Sequence, residues 1–161
     1  MSYQKILVAV DRSPLGEKVF QQAIALAKQN NASLMLFHCV PIESQVLSPY
    51  PSFYSEEMLN FSTIVQERLQ QELTETQQWL ESSVKKAQDL GVTTEFDWKV
   101  GEPGRWIRDL SISWQADLII IGRRGLTGIK EMFLGSISNY IIHHAQCSVL
   151  VVQNSTNSTK D

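Results

Sequence analysis

Cysteine is scarce in this chain of 161 residues: only Cys39 and Cys147 occur, in no CxxC pair and at no Cys/His spacing suited to a metal. Each lies in or beside an apolar run, so reduced, buried thiols are expected rather than a disulfide. An excess of one charge is missing too. Fourteen Lys+Arg against 17 Asp+Glu leave a formal net charge of −3, which removes the electrostatic case for nucleic acid or a membrane surface as partner. No apolar run approaches the roughly 20 residues of a membrane-spanning helix. The start, MSYQKILVAVD, enters a strand-like run at once and has no signal-peptide layout, so a cytoplasmic location is expected. The chain also lacks a GxxxxGK[ST] phosphate loop, a GxGxxG dinucleotide fingerprint, SGG-type and HxGH-type loops, and any compelling Ser/His/Asp order. No internal repeat is visible. What remains is ordinary globular composition, 43% apolar and 19% charged, enough for one domain with a proper core.

Short apolar runs alternate with longer helical patterns. Ile6–Val10 is a compact strand closed by Asp11, and Ser13-Pro14 reads as an N-cap with proline at the first helical position. Leu34–Val40 is the second strand, stopped by Pro41. Met58, Phe61, Val65, Leu69, Leu73, Leu80, Val84 and Ala87 mark one face of a long helix, with Gly91 as its C-terminal glycine. Its length predicts a break near Asn60–Thr63. Val92–Val100 alternates, leaving Thr93, Glu95, Asp97 and Lys99 on a wet face. A helix around Ile107, Leu110 and Trp114, the apolar strand Leu118–Ile121, a helix with Ile137, Tyr140 and Ile141, and the strand Val149–Val152 complete the series.

Five strands alternating with four helices predict an α/β domain: an open five-stranded parallel sheet with helices on both faces. A third strand with a wet face suits an edge, which selects the order 3-2-1-4-5 over 2-1-3-4-5. Residues 1–153 form the domain and 154–161 a polar, frayed tail. In this order the topology reverses between strands one and four, where open sheets bind ligands. Asp11 and Gly122 end those two strands. Gly125 follows, and after nine more residues comes Gly135-Ser136 at the start of a helix. Glycines admit close backbone approach to an anion, and the helix start adds free N–H donors and partial positive charge, so the loop is a candidate phosphate cradle. The last strand, Val149, Leu150, Val151 and Val152, is apolar on both faces at the other edge. It needs cover, either the same strand of a second copy about a two-fold axis or the tail or a helix.

The spacing Gly122-x2-Gly125-x9-Gly135-Ser136, with KILVAVDRS at the start and LGSISNYIIHHAQCSVLVV at the end, resembles the ATP-binding type of the universal stress protein family. The resemblance implies the 3-2-1-4-5 Rossmann-like sheet (the adenine nucleotide alpha hydrolase-like arrangement), an adenine nucleotide site for ATP, AMP or a relative, with Mg2+ accompanying ATP, and a homodimer through the last strand. It places Ala9, Val10, Asp11 and Val40 around the adenosine. Ile121, Gly122, Arg124 and Gly125 fall near ribose and phosphate. Gly135, Ser136, Ile137 and Ser138 offer N–H groups, and the two serines hydroxyls, to the phosphates. The Arg123-Arg124 pair replaces a Ser-His pair of some members, and either pairs with phosphate or points to solvent.

A binding module that signals to a further protein is the expected function. The alternatives are a weak ATPase or nucleotidyl-transfer enzyme using Asp11 and Mg2+, and a nucleotide-independent interaction protein. Asp11 also reads as a turn or capping group, and Ser136 as a plain helix cap. His38 is expected to be packed and hydrogen-bonded rather than catalytic. The loop Pro49–Tyr54 is a candidate lid or partner surface, or ordinary packing.

Overall fold

The computed structural model describes residues 2–41, 56–123 and 134–154, the side chains of 56–59 excepted. The elements run β1 (Lys5–Ala9), α1 (Pro14–Asn30), β2 (Ser33–Val40), α2 (Glu56–Asp89), β3 (Thr94–Val100), α3 (Pro103–Ser113), β4 (Leu118–Gly122), α4 (Ser136–His144) and β5 (Ser148–Val152). The five strands form one sheet in the order β3-β2-β1-β4-β5, and every neighbouring pair is parallel. Fold class and strand order are those expected from the wet third strand and the reversal between β1 and β4.

Strand alternation divides the core into two layers. Ile6, Val8, Leu34, Leu36 and Ile120 face α1 and α2. Leu7, Met35, Phe37, Ile119 and Ile121 face α3 and α4, where Ile107 and Ile141 meet them. The central strands are therefore apolar on both faces, as a sheet covered on both sides requires. Full burial of such a side chain contributes about 1.5–3 kcal/mol.

Ser13 caps α1 as expected: its side chain accepts from the Gly16 N–H at 3.0 Å, and Pro14 opens the helix. Gly91 follows α2 with φ +85°, the left-handed value that glycine adopts without strain. The expected break near Asn60–Thr63 does not occur. α2 is one helix of 34 residues, about 51 Å at 1.5 Å per residue.

The expected wet face of β3 is seen at Thr93 and Glu95, which are exposed. Asp97 and Lys99 are half-buried and pair with each other at 3.7 Å, while Trp114 Nε1 donates to Glu95 at 2.5 Å. The charges of that face thus remain accessible to water while pairing with each other or, for Glu95, with the residue that closes α3. Among the described residues no helix is long and apolar enough to cross a membrane.

The two sheet edges differ. On β3 the Trp98 N–H donates to the Asp97 carboxylate at 2.8 Å, and Gln88 donates to the Thr94 carbonyl at 3.2 Å. Side chains thus occupy backbone groups of that edge, a device that discourages strand addition. β5 carries no such side-chain bond among the described residues. The Arg123 N–H donates to the Val152 carbonyl at 2.9 Å, so Val152 turns its backbone toward β4. By alternation Val149 and Val151 turn theirs outward.

Candidate functional site

The carboxyl ends of β1, β2 and β4 share one edge of the sheet, where α1 and α4 begin. Val10 continues the β1 ladder through its N–H to the Phe37 carbonyl at 2.9 Å. Asp11 then turns the chain: the Ser13 N–H donates to its Oδ1 at 2.9 Å, and the Ser13 hydroxyl donates to the same oxygen. The turn and ligand readings of Asp11 are thus compatible. One carboxylate oxygen closes the turn, and among the described residues the other has no partner.

Sequence reasoning missed what holds this turn in place. A Cβ at Gly16 would lie 2.2 Å from the Asp11 carbonyl oxygen and 2.3 Å from its Oδ1, so only glycine lets α1 start this close. Arg12 reaches the other way, to α2. Its guanidinium lies 3.5 Å from Glu75 and 3.8 Å from Glu72, and its Cζ is 5.4 Å from the Trp79 ring centroid. His38 Nδ1 is 2.8 Å from the Val10 carbonyl oxygen, and its ring meets Trp79 edge-on at 5.1 Å. His38 is the packed, hydrogen-bonded residue expected. The sequence signal for the rest was slight: a glycine three residues after the cap, and glutamates one turn apart on α2.

The β4 end is joined to α4 by a second set of bonds. The Gly135 N–H donates to the Arg123 carbonyl at 3.0 Å. The Ser138 hydroxyl lies 2.8 Å from the Gly122 carbonyl and 3.2 Å from that of Arg123, and Ser138 is 2% exposed. In this structure the Ser138 hydroxyl bonds inward, tying the two described ends of the glycine loop together. Gly122 has a structural neighbour as well. A Cβ there would meet Leu15 Cδ2 at 3.0 Å, so glycine at 122 also leaves room for the start of α1. Arg123 turns toward β5, with Nη1 3.2 Å from Gln153 Oε1.

Gly135, not Ser136, is the N-cap of α4. It has φ −59° and ψ 152° and no side-chain cap, and the first turn holds no acidic residue. The N–H groups of Ser136, Ile137 and Ser138 have no intrahelical partner, and among the described residues no other hydrogen bond occupies them. Ala9 and Ile137 are half-buried against the α3/α4 layer, and Val40 and Ile121 are 1% and 2% exposed. Of these last four, the backbone is what faces the edge. Arg124, Gly125 and the loop Pro49–Tyr54 lie outside the described residues.

Concavity alone points elsewhere. A cleft of about 290 Å3 lies under α3, lined by Phe37, Asp97, Lys99, Trp106, Asp109 and Leu110 among others. Its charges are already paired, Asp97 with Lys99 and Asp109 with Arg108. Free donors, not volume, single out the carboxyl edge.

Cys39 borders the β2 end, and its thiol donates to the Gly101 carbonyl at 3.2 Å. Burial pushes this thiol up to about 11, against a smaller lowering by that bond. It is therefore protonated at pH 8, and its alkylation by iodoacetamide is expected to be much slower there than that of free cysteine. Above the ordinary thiol value the unfolded chain loses this proton first, so Cys39 lowers stability as pH rises from about 9 to 11. A thiol alkylated as fast as free cysteine would contradict this.

The model of the universal stress protein family matches residues 2–153. The chain is 57% identical over 153 residues to universal stress protein Sll1388 of Synechocystis sp., covering 95% of this chain and 99% of that protein. It is 32% identical over 158 residues to universal stress protein YxiE of Bacillus subtilis, covering 94% and 99%. Among solved structures, hypothetical protein MJ0577 superposes with a TM-score of 0.76 at 24% identity, covering 97% of this chain and 99% of that one. Sequence and fold agree: this chain belongs to the universal stress protein family.

Proposed function

We propose that this protein is an adenine-nucleotide-binding module, with ATP as its leading ligand, that works as a homodimer and passes the occupied state to another protein. The observation that carries the reading is the uncapped start of α4 beside the ends of β1 and β4. Three N–H donors and a helix dipole there suit phosphate oxygens. The free oxygen of Asp11 suits ribose hydroxyls or the adenine edge, since an acid belongs away from phosphates. Solved family members support the ligand class. One is described in complex with cAMP (20% identity, TM-score 0.64), one from Archaeoglobus fulgidus with dAMP (23%, 0.59), and one from Arabidopsis thaliana with AMP bound (20%, 0.64).

Gly135 tests the site. Its backbone angles are open to any residue, so Gly135→Val is expected to fold while its side chain stands at the helix start. ATP affinity measured by calorimetry is expected to fall at least about tenfold, some 1.4 kcal/mol. Unchanged affinity in a folded variant removes the phosphate assignment. Mg2+, if ATP carries it, has Asp11 as its nearest candidate acid. Steady-state turnover lost on Asp11→Ala with binding retained would favour the enzyme alternative over the module.

A further inference from the structure

The turn that carries Asp11 is gripped from the side by α2. Glu72, Glu75, Thr76 and Trp79 are spaced i, i+3, i+4 and i+7, so they share one face of that helix. All four meet Arg12. Its Nη2 lies 3.8 Å from Glu72 Oε1 and donates to Thr76 Oγ1 at 3.4 Å. Its Nη1 lies 3.5 Å from Glu75 Oε2, and its Cζ stands 5.4 Å from the Trp79 ring centroid. Trp79 also meets the His38 ring edge-on at 5.1 Å, and His38 Nδ1 holds the Val10 carbonyl at 2.8 Å. The residues on either side of Asp11 are therefore tied to one indole, Arg12 directly and Val10 through His38. Trp79 itself packs against the buried core between α2 and the sheet.

Stability is a poor reason for this grip. The side chains of Arg12, Glu72 and Glu75 are 37%, 45% and 47% exposed, and ion pairs so open to water contribute little. What they fix is direction. Asp11 follows the last bond of the β1 ladder, from the Val10 N–H to Phe37, and its turn is closed by bonds from Ser13. Where its second oxygen points is set by the backbone of residues 10 to 12. With two carboxylates facing it, the guanidinium is engaged on α2 rather than offered to a ligand as charge for phosphate.

We propose that Arg12 is a positioning residue: anchored on Glu72, Glu75 and Trp79 of α2, it aims the free oxygen of Asp11 at the nucleotide, so that acids of α2 set the affinity of the site. This rests on Asp11 being a nucleotide ligand. The sign of the effect sets it apart from a simple field. By Coulomb's law alone, removing negative charge near the cleft raises affinity for an anion. Acids that act through Arg12 have the opposite effect, and their removal lowers it.

Calorimetry with ATP tests it on four proteins: wild type, Arg12→Gln, the pair Glu72→Gln with Glu75→Gln, and the triple variant. Arg12→Gln and the acid pair are each expected to lower affinity about tenfold, the loss of one hydrogen bond to a charged group, with urea midpoints near wild type. The triple variant is expected to be no weaker than either, because the substitutions break a single linkage. Affinity unchanged or raised in the acid pair overturns the inference. So does recovery in the triple variant, which would show that the acids only keep Arg12 off the Asp11 carboxylate. Wild-type protein that binds no adenine nucleotide defeats the nucleotide reading itself. The turn is also read without ligand: exchange of the Ser13 amide, which donates to Asp11 Oδ1, is expected to quicken in the acid pair, and an unchanged rate overturns the positioning role. Should the acid pair fail to fold, Glu75→Gln alone takes its place with the same signs expected.

Discussion

Gly16→Ala is expected to destabilise the protein by about 2–3 kcal/mol, the upper range for overpacking, although alanine is the better helix former. The new Cβ would sit 2.2 Å from the Asp11 carbonyl oxygen. That is a backbone atom held by the β1 ladder and by the turn, so it cannot swing aside as a side chain does. Either α1 backs away from the sheet or the Asp11 turn opens. Both move the carboxylate assigned to the nucleotide, so a fall in ATP affinity should accompany the loss of stability. Gly91→Ala is the control. At φ +85° with nothing within 4 Å of the new Cβ, it costs only backbone strain, about 1 kcal/mol. Urea denaturation of the two variants reads the difference, and a Gly16→Ala midpoint equal to wild type would show that the turn is looser than the geometry states.

Val151→Pro is expected to convert the proposed homodimer to monomer while the domain stays folded. Proline removes an N–H and is tolerated on an edge strand where that N–H faces away from the sheet. Val151 meets this condition, because Val152 is the residue whose carbonyl accepts from Arg123. The neighbouring substitution has the opposite expectation: Leu150 turns its backbone toward β4, so Leu150→Pro breaks the ladder and unfolds the edge. Sedimentation and thermal unfolding on the pair separate the two effects. A Val151→Pro protein still dimeric would place the dimer contact elsewhere. Proline serves better than a charge here, since Val151 is half-buried against the α3/α4 layer and an ion there would also disturb the core.

The sheet was legible because its signal is local and redundant. Runs such as Leu118–Ile121, caps such as Ser13-Pro14 and the alternation of β3 each repeat over several residues, and crossover handedness removes most other orders. The candidate site was legible only as a neighbourhood. Asp11, Gly122 and Gly135 fall where the topology predicts, but they also make contacts that a linear pattern does not show. Gly122 makes room for Leu15, the Ser138 hydroxyl closes the loop from inside, and Gly135 takes the cap expected of Ser136. Gly16 and Arg12 escaped notice because no local pattern marks their partners: the Asp11 carbonyl for Gly16, and the acidic face of α2 for Arg12.

By itself, then, the order of residues determined the element series and a parallel sheet with helices on both faces, since periodicity and capping are written within a few residues of each other. Only the tertiary structure decided which donors at the carboxyl edge of the sheet are spent and which remain, how close α1 comes to Asp11, and that α2 runs unbroken. Those depend on distances between segments far apart in the chain, and hydrogen-bond directions and close contacts are set only once the layers have packed.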